Sequence, residues 1–331
     1  MLPQDSFTDD TYPSTLSISA ESQISGRYLK KRKHIAKHPN LNSTRLSVLV
    51  LTLAIFISYT FTTSPKPLTH FNLSTLTHKY ILRQPLEEIT ETLASSVLSM
   101  PVILLLIEEA AIYPKAKILL ANHEAYPDSL LELAANRPET LDFVINYARY
   151  EPSTLNTNPI SIDHDFNPGS IPLFLQWDER WGYESYGTEF IASSACGPTA
   201  LSMVAVGLTG NIDMHPKTVS DFSYNLGYFH AGQGTSWALM SEGANKLGLT
   251  SRELPLDASS IYNALDEGHP IIASMKPGHF TKAGHFIVLT GMTPDGKIQV
   301  NDPGSLANSK IVWDLSVIMS ETKNLWAFSA V

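Results

Sequence analysis

One short stretch restricts the fold of this 331-residue chain more than any other. Residues 193–197 form a small, mostly polar segment that contains Cys196, the only cysteine, and an apolar run follows at residues 200–208. Such a run predicts a buried helix with Cys196 at or just before its N-terminus. Because the helix dipole and the unpaired backbone N–H groups at that end favour an anion, this position favours a thiolate. An inert core thiol is the alternative, because free cysteine is among the most buried residue types.

The composition indicates a globular protein of about two domains. Hydrophobic residues make up 43% of the chain, charged residues make up 17%, and the net charge is −9. Residues 1–45 carry seven Lys/Arg and four Asp/Glu, so the rest of the chain carries a net charge of −12. An acidic body of this kind argues against a nucleic-acid partner. A single cysteine offers no internal disulfide and no cysteine-rich zinc or redox site. We expect neither a metal nor an organic cofactor, because the cysteine chemistry described below needs none.

The N-terminal region predicts a membrane anchor. Residues 1–45 are polar, are expected to be disordered, and end in a basic cluster. Residues 46–63 are uncharged and mostly apolar, a length just sufficient for a helix to span a bilayer. Because the positive residues precede this span, we expect a single-pass signal anchor in the cell membrane and an extracellular C-terminal domain. A cleaved signal peptide is the alternative, but no clear small-x-small cleavage site follows the span.

Residues 64–170 are interpreted as a helical spacer followed by a linker. Pro101, Pro127 and Pro138 each stand at the start of a short segment that predicts a helix, and proline is favoured in a first helical turn. Residues 151–170 are rich in Pro, Asn, Asp and Ser, which is typical of a linker. We find no catalytic grouping in this part of the sequence.

Residues 171–331 predict a C-terminal domain in which helices precede strands. The expected helices cover residues 219–226, 237–247 and 259–267. Gly248 is expected to end the second of them. The expected strands cover residues 271–275, 285–290 and 297–302, with a strong turn signal at residues 293–296.

The last two strands form a hairpin that brings a histidine and an aspartate together. If Met292 faces Lys297 across the turn, the numbers of any two residues that face each other in this hairpin sum to about 589. His285 then lies opposite residue 303 or 304, next to Asp302. A slip of one residue would place the two side chains on opposite faces of the sheet. Asn301 is the alternative to Asp302 as the group that orients the histidine.

A thiol, an imidazole and a carboxylate are the groups that nucleophilic catalysis by cysteine requires. Cys196, His285 and Asp302 supply them in the order helix, strand start and strand end. His279 is the alternative base, although a place in the wall of a cleft suits it better. The backbone N–H of Cys196 and the side-chain amide of Gln176 are candidate donors to an oxyanion.

Four motifs that contain these residues resemble a known family. They are QWDERWG (residues 176–182), ACGPTAL (195–201), GHFIVLTG (284–291) and VNDP (300–303). Together they resemble the bacterial extracellular cysteine peptidase-like proteins related to the bacteriocin-leader (double-glycine) peptidases, within the papain-like superfamily. Residues 126–147 also resemble the spacer of membrane-anchored Gram-positive members.

The resemblance implies a papain-like α+β fold over residues 171–331, with the cysteine-bearing helix packed on an antiparallel sheet. It implies Cys196 as the nucleophile, His285 as the base and Asp302 as the orienting group. Gln176 departs from the leader-peptidase pattern, in which the oxyanion glutamine lies only a few residues before the cysteine. The expected function is hydrolysis of peptide or amide bonds in a peptide, a protein or a cell-wall peptide. A catalytically silent surface binding module and a cell-wall amidase or transpeptidase are the alternatives.

Overall fold

The computed structural model describes residues 78, 81–86, 89, 101–150 and 159–331. The chain divides into two compact units, Met1–Phe71 and Asn72–Val331, and all described residues belong to the second. The predicted N-terminal segment, the predicted transmembrane span and the start of the predicted linker therefore lie outside the described residues. None of the described helices has both the length and the apolar character needed to cross a membrane.

The described helices fall into two groups along the chain. The N-terminal group comprises α1 (Pro101–Ile112), α2 (Ala116–Ala121), α3 (Asp128–Asn136) and α4 (Leu141–Asn146), with 3-10 turns at His123–Ala125, Pro138–Thr140 and Tyr147–Arg149. The C-terminal group comprises α5 (Ile191–Ser194), α6 (Cys196–Thr209), α7 (Pro216–Asn225), α8 (Ala244–Lys246), α9 (Ala258–Asp266), α10 (Leu306–Ser309) and α11 (Leu315–Glu321), with a π-helical turn at Leu239–Gly243. The helices predicted in both regions are confirmed to within a few residues. Gly248, expected to end a helix, has the left-handed φ of 78° that favours glycine.

Six of the described strands form one antiparallel sheet. They are β5 (Leu249–Leu254), β6 (Ile271–Met275), β7 (His285–Met292), β8 (Ile298–Asn301), β9 (Val312–Trp313) and β10 (Thr322–Ala330). Their order across the sheet is β5-β10-β6-β7-β8-β9. Two short hairpins pair β1 (Ser185–Tyr186) with β2 (Glu189–Phe190) and β3 (Phe229–His230) with β4 (Gly234–Thr235). The three predicted strands are confirmed as β6, β7 and β8, whereas β5 and β10 were not predicted.

Helices cover both faces of the six-stranded sheet. The largely buried α6 packs on the face that presents Ile272, Phe286 and Val288. Helices α9 and α11 pack on the other face, where Ile287 and Leu289 lie, because successive residues of a strand point to opposite faces. This arrangement confirms the α+β class and the cysteine-bearing helix on an antiparallel sheet, and it is consistent with a papain-like fold.

The N-terminal helices pack against the segment that follows them. Their hydrophobic cluster includes Tyr183 and Ala192, which lie just before Cys196 in the chain. The ring of Phe143 in α4 stacks on Tyr183 with 4.2 Å between ring centroids, and the Tyr183 hydroxyl donates to the Phe143 carbonyl oxygen at 2.6 Å. The domain boundary near residue 170 stays a prediction, but hydrophobic contacts cross it.

Candidate active site

Cys196 is the first residue of α6, as predicted. Ala195 before it has a non-helical backbone and makes no side-chain cap. Pro198 is tolerated in the first turn because the first N–H groups of a helix have no helical acceptor. Gly197 is required by a close approach of β4, since a Cβ there would lie 2.9 Å from the Thr235 side chain. The sequence around the cysteine therefore fixes where the helix begins and leaves the thiol partly buried at its N-terminus.

His285 and Asp302 meet at the open end of the β7–β8 hairpin. The two atoms His285 Nε2 and Asp302 Oδ1 are 2.7 Å apart. The His285 side chain is 6% exposed and that of Asp302 is 0% exposed. Because an ionised carboxylate only accepts hydrogen bonds, the proton between them belongs to Nε2. The predicted contact between the two side chains is confirmed.

The register of the hairpin explains this contact. Val288 faces Asn301, a pair whose numbers have the predicted sum of 589. The register shifts by one between Leu289 and Gly291, so Met292 faces Ile298. The expectation that Met292 faces Lys297 was therefore wrong by one residue at the turn, and the irregularity restores the predicted register at the open end. A bulge of this kind places one extra residue in one strand, so the alignment of the two strands differs by one residue on its two sides.

His285 also acts on the Cys196 thiol, since each of the two groups shifts the pKa of the other. Since Nε2 is engaged by Asp302, Nδ1 is the ring nitrogen that remains for the sulfur. The backbone N–H groups of Phe286 and Gly197 also lower the pKa of the thiol. The three residues thus interact in series, in which Asp302 hydrogen-bonds His285 and His285 acts on Cys196.

This environment shifts the pKa values of the cysteine and the histidine in opposite directions. Burial raises the pKa of Cys196, but the hydrogen bond and charge of His285, with the two backbone N–H groups, outweigh burial and leave the pKa below its usual value. Burial lowers the pKa of His285, but Asp302 and Cys196 outweigh it and raise this pKa to about 9. The two opposite shifts favour a proton on the imidazole and a thiolate on Cys196.

Asp302 is held by groups that the sequence did not reveal. Its Oδ1 accepts from the backbone N–H of Gly304 at 2.8 Å, and its Oδ2 accepts from Asn308 Nδ2 at 2.8 Å. Burial raises the pKa of Asp302, but the charge and hydrogen bond of His285, the charge of Arg137 and the Asn308 bond set it below its usual value. Asn308 lies only six residues after Asp302, in the turn that α10 forms, so the sequence offered a weak indication of its role. Arg137 is distant in the chain, and nothing in the sequence connected it with Asp302.

Gln176 lies between the segments that carry the cysteine and the aspartate. Its backbone N–H donates to the Pro303 carbonyl oxygen at 2.8 Å, and its side-chain Nε2 donates to the Ala192 carbonyl oxygen at 2.5 Å. The side chain is buried, and its Oε1 has no hydrogen-bond partner in the described part of the chain. Among the described hydrogen bonds, none joins Gln176 to Cys196 directly.

The two alternative residues make other contacts. The ring and the backbone N–H of His279 both hydrogen-bond the carboxylate of Glu321, the backbone bond at 2.8 Å. Asn301 Nδ2 donates to the carbonyl oxygens of Ile171 and Pro172 at 3.2 and 2.9 Å. His285, which hydrogen-bonds Asp302, is therefore the histidine that acts on the cysteine.

Over residues 101–150 and 159–331, no cluster of three or more His, Cys, Asp or Glu side chains is arranged to hold a metal ion.

The sequence of this part of the chain matches a known protein family. Residues 169–329, which contain Cys196, His285, Asp302 and Gln176, match the Peptidase_C39 like family. No curated protein matches the chain. The resemblance to this group of cysteine peptidases is thereby confirmed. Residues 169–329 belong to the Peptidase_C39 like family, and the chain is a cysteine peptidase.

Proposed function

We propose that Cys196, His285 and Asp302 are the catalytic triad with which this cysteine peptidase hydrolyses peptide or amide bonds. The observation that carries the proposal is the buried 2.7 Å hydrogen bond between His285 Nε2 and Asp302 Oδ1, at a place where His285 also acts on the Cys196 thiol. Two further features support it. The sulfur lies at the N-terminus of a buried helix, and the pKa values of Cys196 and His285 are shifted toward an ion pair.

The geometry supports a two-step reaction. The Cys196 thiolate attacks the carbonyl carbon of the scissile amide, and the carbonyl electron pair moves to the oxygen. The His285 imidazolium donates its proton to the leaving amine as the C–N bond breaks, which leaves a thioester on the sulfur. Neutral His285 then takes a proton from water, the resulting hydroxide attacks the thioester, and the carboxylic acid leaves as the thiolate and imidazolium re-form.

Asp302 acts on the reaction through His285. The carboxylate accepts the Nε2 proton, so it fixes the ring orientation and the tautomer in which Nδ1 faces the sulfur. Because Asp302 is fully buried and ionised, it also stabilises the imidazolium that the resting ion pair requires.

Two donors suit the oxyanion that forms on the carbonyl oxygen. Cys196 begins α6, so its backbone N–H has no helical acceptor. Gln176 Nε2 carries two hydrogens, and the Ala192 carbonyl takes one of them. In Gln176→Ala we expect kcat to fall about a hundredfold, the loss typical of one oxyanion donor, while alkylation of the thiolate stays unchanged. A parallel loss of both would show that Gln176 supports the fold.

The triad is tested with the full-length chain purified in detergent. Because Cys196 is the only cysteine, iodoacetamide labelling reports on this thiol alone. We expect fast labelling of the wild type at neutral pH, and cleavage of at least one member of a panel of proteins, secreted peptides and purified wall peptides. Cys196→Ala should abolish both. Slow labelling typical of an ordinary thiol, with no cleavage in the panel, would contradict the proposal and favour a silent binding module.

We also propose that residues 46–63 anchor the enzyme in the cell membrane with the peptidase domain outside. The proposal is supported by the uncharged stretch and by the basic cluster that precedes it. We expect the chain to remain in membranes after alkaline extraction, and protease added to intact cells to digest the C-terminal domain. The double variant Ile55→Arg, Ile57→Arg should lose membrane retention. A C-terminal domain that stays protected in intact cells would contradict the orientation.

A further inference from the structure

The turn between α3 and α4 contacts both loops that flank the histidine and the aspartate. Arg137 Nη2 donates to the carbonyl oxygen of Phe280, in the loop that leads into His285, at 2.9 Å. Lys282 in the same loop donates to the Asn136 side-chain oxygen at 2.8 Å. The loop that follows Asp302 contacts the neighbouring Glu139. A short segment of the N-terminal helices thus contacts the two sides of the proposed triad.

This turn is itself well fixed. The backbone N–H of Arg137 donates to the Leu133 carbonyl oxygen at 2.9 Å. The backbone N–H and the hydroxyl of Thr140 donate to the Arg137 carbonyl oxygen at 2.9 and 2.8 Å, and Thr140 is fully buried. The side chains of Arg137 and Glu139 therefore project from a rigid backbone and can hold other groups in place.

Glu139 holds the turn that follows Asp302. Its Oε1 accepts from the Ser305 hydroxyl at 2.6 Å. Its Oε2 accepts from the backbone N–H groups of Leu306 and Ala307 at 3.1 and 3.2 Å. These are the first N–H groups of α10, which have no helical acceptor, so the carboxylate satisfies donors that would otherwise be unpaired.

The bonds continue from this turn to Asp302. The Ser305 hydroxyl oxygen accepts from the backbone N–H of Asn308 at 3.2 Å. Asn308 Nδ2 donates to Asp302 Oδ2, and the Ser309 hydroxyl oxygen accepts from the Asp302 backbone N–H at 2.9 Å. Glu139 is therefore connected through the α10 turn to the carboxylate that orients His285.

Arg137 packs against the same loop. A Cβ on Gly304 would lie 3.2 Å from the guanidinium carbon of Arg137 and 3.1 Å from Cε1 of His285, so both side chains pack close to Gly304. Within the described residues, Arg137 has no carboxylate within 4.0 Å, and its charge acts on Asp302. The other titratable groups that face the Cys196–His285 pair are Asp302 and Tyr186.

We propose that Arg137 and Glu139 are positioning residues for the His285–Asp302 pair, and that the N-terminal helices are in this way a working part of the peptidase. The proposal rests on the triad proposed above. Arg137 hydrogen-bonds the Phe280 carbonyl before the histidine and packs against Gly304 after the aspartate. Glu139 fixes the turn that presents Asn308 to Asp302. Loss of either contact lets the carboxylate move away from Nε2, which weakens the ion pair between His285 and Cys196.

The pH profile of Cys196 alkylation tests the positioning role of Glu139, because loss of its charge and loss of its positioning contacts would move this profile in opposite directions. Removing a nearby negative charge by itself favours the thiolate and moves the acid limb of the profile to lower pH. If positioning dominates in Glu139→Gln, the acid limb moves up by about one pH unit, a loss of about tenfold in thiolate at lower pH. The matched control is Asp142→Asn. Asp142 is 68% exposed, pairs with Lys115 and makes no described hydrogen bond to the loop after Asp302, so the profile of this variant should not move upward.

Variants of Arg137 give a second, independent test of the positioning role. We expect Arg137→Met to raise the acid limb by about one pH unit and Arg137→Lys to restore part of the shift, because lysine keeps the charge but lacks the planar fork. Thermal unfolding of each variant monitors the fold. A wild-type thiol that titrates normally overturns both the triad and this inference. If the pKa of Cys196 is lowered in the wild type but the alkylation profiles of Glu139→Gln and Arg137→Met do not move, only the positioning role is overturned.

Discussion

Two histidine–carboxylate pairs in this molecule have the same chemistry but differ in the exposure of the histidine and in their other contacts. The pair formed by His285 and Asp302 has side chains that are 6% and 0% exposed. The pair formed by His279 and Glu321 has side chains that are 62% and 10% exposed. The two histidines are only six residues apart, and both were candidates for the same role on sequence grounds.

The two pairs differ in the other groups that the histidine and the carboxylate contact. The His285 ring acts on Cys196 and raises the reactivity of its thiol by lowering the thiol pKa, and Asp302 receives further bonds from Gly304 and Asn308. Glu321 instead binds both the ring and the backbone N–H of His279, and its carbonyl oxygen accepts from the Lys276 N–H at 2.7 Å. The His279–Glu321 pair thus closes a loop. The His285–Asp302 pair suits catalysis, because its histidine is buried and acts on a thiol.

The largest expected effect separates the two histidines. His285→Ala should lower the hydrolysis rate about a thousandfold, because it removes both the partner of the thiolate and the proton donor to the leaving amine. His279→Ala should change the rate by less than about threefold, since its ring is mostly exposed and makes no described contact with the cysteine. The rates of both variants on one common substrate measure the difference. Equal losses would show that the two pairs are not functionally distinct.

The second expected effect separates the two carboxylates. Asp302→Asn should lower kcat about a hundredfold, because asparagine can present an N–H to Nε2 and then selects the wrong tautomer. Glu321→Gln should leave kcat nearly unchanged and lower the thermal unfolding midpoint slightly, because it weakens a bond that closes a loop. Steady-state kinetics and thermal unfolding of the two variants check this. A larger loss of kcat in Glu321→Gln than in Asp302→Asn would reverse the assignment.

The third and smallest effect uses one glycine beside each pair. In Gly304→Ala the added methyl group would lie 3.1 Å from His285 Cε1, a tight contact that should displace the ring and lower kcat about tenfold. In Gly278→Ala the methyl group would lie 2.1 Å from Glu321 Cδ, a more severe clash that should cost about 1–3 kcal/mol of stability. If the milder clash left kcat intact, the ring of His285 would have more freedom than the buried geometry implies.

The sequence predicted the core of the site because that core depends on local patterns. The apolar run after Cys196 places the cysteine at a helix start, and the hairpin alternation brings His285 to Asp302. The detail at the turn was wrong because a register irregularity after Leu289 has no sequence signature. The irregularity shifts the register by one residue and so restores the predicted alignment at the open end, where the two side chains meet.

What the sequence did not predict depends on contacts between distant segments. Arg137 and Glu139 reach loops that lie more than a hundred residues later in the chain, and neither a motif nor a spacing connects them. Strand β10 follows all the other strands in the chain but lies between β5 and β6, so its place in the sheet depends on pairing with strands that are distant in the sequence. The transmembrane prediction for residues 46–63 falls outside the described residues and stays a prediction.

A titration of the thiolate tests the proposed ion pair most directly. Because Cys196 is the only cysteine, the ultraviolet absorbance of the thiolate in the full-length protein follows this residue once the Cys196→Ala signal is subtracted. We expect the thiolate to form below the usual cysteine pKa of 9.0 and to persist at neutral pH, while hydrolysis falls as pH rises through about 9 and His285 loses its proton. In His285→Ala the titration should move up toward the usual value. A wild-type thiol that titrates at or above 9.0, and does so unchanged in His285→Ala, would contradict the proposed pair of Cys196 and His285.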